Sequence, residues 1–150
     1  MSQSLSQLYI HAIFHVKNNK CLIKPENDKE LYAYIGGVLG ISRSIPIAIN
    51  GTENHIHVLC MMSKNISLAT LMEDIKGDSS RWIKSLGPHY RDFAWQGGYA
   101  GYSVSQSKVE VVKRYIENQK IHHQKQSLQE EYVQFLNENG VDYDPDYLWR

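Results

Sequence analysis

Two short fragments carry the side chains best suited to chemistry. His55-Ile56-His57 lies in an apolar run, and Tyr115-Ile-Glu-Asn-Gln119 lies in a helical one. Side chains alternate along a strand, so the first fragment sets two imidazoles on one face. Residues four apart are neighbours on a helix, so the second sets a phenol beside an amide. Two imidazoles and an amide oxygen can hold a divalent metal, and a tyrosine next to that metal can attack a phosphodiester. Plain alternatives stand beside each reading. His55 and His57 can be satisfied sheet histidines, Gln119 a solvent-facing helical residue, and Tyr115 ordinary helix packing.

The metal would answer a specific difficulty. A phosphodiester is anionic and resists attack, and a divalent cation on a non-bridging oxygen offsets that charge and helps the 3′-oxygen leave. Hard oxygen ligands suit Mg²⁺, while imidazoles tilt the set toward Mn²⁺. A phenol has a pKa of about 10 and must lose its proton in the transition state.

The elements that would position these groups can be read along the chain. Residues 8–17 alternate, with Leu8, Ile10, Ala12, Phe14 and Val16 facing one way and Tyr9, His11, Ile13 and His15 the other, which predicts a strand. Asn27 with Glu30 reads as a capping box for a helix carrying Leu31, Tyr34, Ile35, Val38 and Leu39, weakened by Gly36, Gly37 and Gly40. Strands are predicted at 45–50, 55–62 and 99–105, and a helix at 66–86 ending at Gly87-Pro88. Ser107 with Glu110 and Ser127 with Glu130 read as capping boxes opening two further helices. The first six elements follow the split, ferredoxin-like order, in which the first and third strands are central neighbours. His11 and His15 would then abut His55 and His57, placing four imidazoles on the open face of the sheet. The tyrosine helix must lie across or beside that face.

Composition bounds the rest. A chain of 150 residues, 42% hydrophobic and 21% charged, predicts one globular domain over residues 1–150. No run approaches a membrane span, and the first residues show no secretory signal. Cys21 and Cys60 have no metal-type spacing, and the chain reads as cytoplasmic and without disulfides. Net charge is zero but unevenly spread. Residues 76–125 carry nine Lys or Arg against four acids, interleaved with Trp82, Tyr90, Phe93, Trp95, Tyr99, Tyr102 and Tyr115, whereas the segment from 126 carries six acids and one Arg. Cations with aromatics suit a single strand of nucleic acid. A solvated basic helix face over core aromatics explains the same pattern.

With these residues in hand, the chain resembles the single-tyrosine HUH transposases, and among them the REP-associated branch. The resemblance rests on Tyr9-Ile-His11, Asn54-His-Ile-His57, Trp95-Gln-Gly-Gly-Tyr99, Ser103-Val-Ser105, and Val112-Lys-Arg-Tyr-Ile-Glu-Asn-Gln119 followed by His122-His123. Asn54 departs from the Asp common in relatives. The resemblance implies an α+β, ferredoxin-like or RRM-like antiparallel sheet with helices on one face and an added C-terminal tyrosine-bearing helix. It also implies Mg²⁺ or Mn²⁺ held by His55, His57 and Gln119, with Tyr115 as nucleophile. The implied reaction is cleavage of single-stranded DNA to a 5′-phosphotyrosine, performed by a homodimer on hairpin-forming sequences. His11, Arg81, Lys113, Arg114 and His122 are the expected DNA contacts. Nothing is carried onto the acidic tail.

Two other readings compete. One is a non-catalytic single-strand binder on an RRM-like sheet, which has no need of a tyrosine and glutamine aligned with a histidine pair. The other is a metalloenzyme for a different substrate, marked by a carboxylate beside the histidines, and no such residue is visible next to them in the sequence.

Overall fold

The computed structural model describes residues 2–150. Four strands, β1 (Leu8–His15), β2 (Ile45–Gly51), β3 (His55–Met62) and β4 (Ala100–Val104), form one antiparallel sheet in the order β2-β3-β1-β4. The helices are α1 (Pro25–Ile41), α2 (Leu68–Lys84), α3 (Val109–Glu117), a single turn α4 (Gln119–His122) and α5 (Leu128–Glu138). The α+β fold and the central β1–β3 pair agree with the sequence reading.

The sheet has two dissimilar faces. On one, Ala12 and Phe14 of β1, the adjoining Val16, and Ile56, Val58 and Cys60 of β3 pack against Leu31, Ile35 and Leu39 of α1 and Leu71, Met72 and Ile75 of α2. The period-two alternation of β1 dictates this, because every second side chain is apolar and finds the two amphipathic helices. On the other face Ile13, Ala100 and Tyr102 meet Leu128, Tyr132 and Leu136 of α5. That face is therefore not open, as the sequence reading expected. The C-terminal helix lies over it.

Several local expectations need correction. The helix α1 starts at Pro25, with Lys24 at its N-cap, rather than at an Asn27 box, and Asn27 Oδ1 instead accepts from the Tyr90 hydroxyl at 2.7 Å. Its three glycines neither shorten it nor admit a close neighbour, since a Cβ at Gly36 would meet only Ile49 Cδ1 at 3.8 Å. Ser107 caps nothing; a 3₁₀ turn over Gln106–Lys108 leads into α3. Ser127 does cap α5, accepting from the Glu130 amide at 3.1 Å. The helical run through Tyr115 and Gln119 is broken at Asn118 (φ −98°, ψ 17°). The Asn50 side chain of β2 meets this break, donating from Nδ2 to the carbonyls of Ile116 (2.9 Å) and Glu117 (3.2 Å). It supplies a partner for carbonyls that a helix end otherwise leaves unsatisfied.

Candidate active site

The first residues of β3 supply the two imidazoles. His55 and His57 are both 0% exposed, with ring centroids 5.1 Å apart. The tight turn before β3 orients His55, whose Nδ1 lies 2.9 Å from both Asn54 Oδ1 and Thr52 Oγ1. The β1–β3 register orients His57. His11 faces Leu59 and Ile13 faces His57, so the His11 and His57 side chains are diagonal neighbours, with His11 Nε2 2.8 Å from His57 Nδ1. His15 stands directly across from His55. Its backbone N–H donates to Gln96 Oε1 and its Nε2 meets the Leu148 carbonyl, each at 3.0 Å, so the Trp95-Gln96 segment and the C-terminal segment hold this corner.

With both Nδ1 atoms occupied from outside, both Nε2 atoms point inward. His55 Nε2 lies 3.0 Å from Gln119 Oε1, and His57 Nε2 lies 2.8 Å from Glu131 Oε1. Glu131 is the residue that sequence reasoning missed. It comes from α5, is 1% exposed, and sits in the middle of the cluster. Its Oε2 accepts from the Tyr115 hydroxyl and, at 3.1 Å, from Gln119 Nε2. The expectation that no carboxylate lies beside the histidines is thereby overturned, because the chain folds back across the sheet. A signal was present. Leu128, Tyr132 and Leu136 repeat every four residues, and Glu131 with Phe135 borders that stripe, so an acid stands where an apolar residue is expected.

Electrostatics follow from burial. Desolvation carries His11 down to about 3, with His57 adding to the effect. It carries His57 down to about 4 against the opposing pull of Glu131. Burial lifts the Tyr115 phenol well above its ordinary value, and Glu131 lifts it further. For Glu131 itself burial disfavours charge, yet the surrounding imidazoles of His123, His55 and His57 outweigh it and keep the carboxyl far below the usual carboxylate range.

The donor set fits a divalent cation. Atoms of His55, His57, His123 and Glu131 able to bind metal lie within 4.8 Å of one another, and the Gln119 carbonyl oxygen adjoins them. Bonds of about 2.1 Å at right angles put neighbouring ligands ~3.0 Å apart. The His55–Gln119 and His57–Glu131 separations of 3.0 and 2.8 Å match that spacing. His11 and Asn54 on the outer nitrogens can fix the tautomers that leave both Nε2 lone pairs inward.

The other nominated residues are spread unevenly. The His122 ring stacks edge-on to Tyr115, with centroids 4.8 Å apart, and meets Gln126 Oε1 at 2.7 Å. Lys113 and Arg114 flank the tyrosine on α3, with Arg114 exposed. His11 is 2% exposed, meets His57, and its edge reaches the groove beside Tyr115. Arg81 is 75% exposed on α2, pairs with Asp78, and lies on the side of the sheet away from the histidines.

The split, ferredoxin-like sheet of this α+β fold thus gathers a histidine pair, a tyrosine, a glutamine and a buried carboxylate at one place. The model of the IS200-like transposases matches residues 4–119, and the chain belongs to that family. Its fold is shared with solved structures of low identity. A candidate transposase from Deinococcus radiodurans R1 is 20% identical, with a TM-score of 0.61, over 79% of this chain and 98% of that one. A REP-associated tyrosine transposase bound to a REP hairpin is 13% identical, with a TM-score of 0.60, over 82% of this chain and 74% of that one. No curated protein matches the chain by sequence. Among the described residues no helix is long and apolar enough to cross a membrane.

Proposed function

We propose that the chain is a metal-dependent transposase that cleaves and rejoins single-stranded DNA through a 5′-phosphotyrosine on Tyr115. The observation that carries this reading is the convergence of the Tyr115 hydroxyl, the Gln119 amide and the inward nitrogens of His55 and His57 around one buried carboxylate. In this reading His55, His57 and Gln119 hold Mg²⁺ or Mn²⁺. When bound, the cation supplies charge neutralisation at the scissile phosphate.

The chain's own residues do the rest. The Tyr115 oxygen bonds to phosphorus as the bond to the 3′-oxygen breaks. The phenolic proton is released to solvent and the 3′-oxygen takes one from solvent, so the step gains and loses none overall. The new phosphodiester conserves the energy of the old, so rejoining needs no nucleotide cofactor. Tyr115 opens onto a groove of about 230 Å³ between α3 and α5, lined by Val111, Val112, His122, Gln134 and Phe135. Lys113, Arg114 and His122 beside it are the proposed strand contacts, with His11 acting through His57. Family membership and the hairpin bound by the REP-associated neighbour support a single-stranded or hairpin DNA partner. A binder using an open RRM-like face is disfavoured, because α5 covers the histidine face. Assembly as a homodimer is proposed from the unpaired outer edges of β2 and β4; light scattering tests it, and a fully active monomer would end that part of the reading.

The test is incubation with labelled single-stranded oligonucleotides and Mn²⁺, followed by a denaturing gel. A covalent adduct that disappears in Tyr115→Phe supports the reading. An adduct that persists in the variant moves the nucleophile elsewhere.

A further inference from the structure

The family match ends at Gln119, so α5 and its Glu131 lie outside it. We propose that Glu131 is an additional protein ligand of the divalent metal, delivered by α5, and that metal binding clamps α5 onto the histidine face. The inference rests on the reading that His55, His57 and Gln119 hold a cation.

The carboxylate is placed as a ligand would be. Its Oε1 is 2.8 Å from His57 Nε2 and 3.3 Å from His55 Nε2, facing the same point as both nitrogens. Its Oε2 turns the other way and is tied to protein donors, the Tyr115 hydroxyl and Gln119 Nε2. The two oxygens thus divide the work. One faces the cation, and the other holds the nucleophile and fixes the Gln119 amide so that its carbonyl oxygen is the atom aimed at His55. A ligand with this outer contact couples the nucleophile's position to metal occupancy.

Two further observations point the same way. A carboxylate 1% exposed needs compensating partners, and among the described residues those paired with Glu131 are imidazoles, with no Lys or Arg among them. His123 is buried but for 10% of its side chain, and its Nε2 lies 3.0 Å from Glu131 Oε2. Its donor atom lies within 4.8 Å of those of His55, His57 and Glu131, so three imidazoles and one carboxylate crowd one small volume. Four protein ligands of a six-coordinate ion would still leave two positions for a phosphate oxygen and water.

The experiment is Mn²⁺ titration by calorimetry of the full chain, of Glu131→Gln and of Glu131→Ala, paired with amide hydrogen exchange across α5 with and without Mn²⁺. The expected result is that Mn²⁺ affinity falls by about tenfold or more in Glu131→Gln and at least as much in Glu131→Ala. Mn²⁺ should slow exchange in α5 of the native chain and not in the variants. Unchanged Mn²⁺ affinity in both variants would overturn the assignment, as would α5 exchange in the native chain that is indifferent to bound Mn²⁺. If Glu131→Gln binds Mn²⁺ normally and single-stranded DNA more tightly, the carboxylate occupies the place of a phosphate rather than that of a ligand, which also overturns it. A native chain that binds no Mn²⁺ at all would instead remove the metal reading beneath it.

Discussion

The two faces of the sheet use the same strands to opposite ends. One face of β1 and β3, with the adjoining Val16, buries Ala12, Phe14, Val16, Ile56, Val58 and Cys60 under α1 and α2, and of these side chains only the Cys60 thiol can ionise. The other buries His11, His15, His55 and His57 under α5, with Glu131 among them. Apolar burial on the first face drives folding. The second face hides polar groups that must all find partners, and so it trades stability for a prearranged site. Stability and chemistry are thereby assigned to alternate residues of the same two strands.

Changes on the apolar face should cost the most. Phe14 is fully buried, edge-on to Trp95 with centroids 4.7 Å apart. Phe14→Ala should lower the free energy of unfolding by about 3–5 kcal/mol in urea titration. A loss no greater than that of a surface substitution would break the contrast.

Acid should probe the histidine face alone. Burial, chiefly, lowers His11 to about 3 and His57 to about 4. In the unfolded chain both titrate near 6.5, so below that pH the unfolded state binds protons that the folded state refuses. Stability is full above pH 6.5 and falls as pH drops toward the folded values. By pH 5 the loss for the two together is about 4 kcal/mol. Urea midpoints measured with a chelator at pH 7 and pH 5 check this; equal midpoints would contradict it.

Smaller effects should separate the site's support from its fold. Asn54→Ala removes an oxygen 2.9 Å from His55 Nδ1 and should weaken Mn²⁺ binding by about tenfold, with little change in unfolding. Comparable Mn²⁺ affinity in the variant would make Thr52 the sole orienting partner. Least of all, Lys113→Ala with Arg114→Ala should reduce the dependence of log affinity for single-stranded DNA on log salt by about 1.4, or ~0.7 for each lost contact. An unchanged slope would place the strand elsewhere.

How much of this was legible depends on how local its cause is. The strand bearing His55 and His57 follows from side-chain alternation and its turn residues, and its bounds match the sequence reading. The meeting of His11 and His57 follows from alternation plus the split topology, since β1 and β3 must be neighbours. The break at Asn118 was not legible, because its partner is Asn50, distant in the chain. Nor was the role of Glu131. The cap at Ser127 and the Leu128–Tyr132–Leu136 spacing announce the helix, but not the surface on which it docks. Only tertiary packing turns an acid in a charged tail into the centre of the site.

The most direct test is anomalous diffraction from crystals soaked in Mn²⁺. The account predicts one peak per chain on the histidine face, about 2.2 Å from His55 Nε2, His57 Nε2 and Gln119 Oε1. A map with no peak there, or with Mn²⁺ only on the acidic tail around residues 142–146, would contradict it.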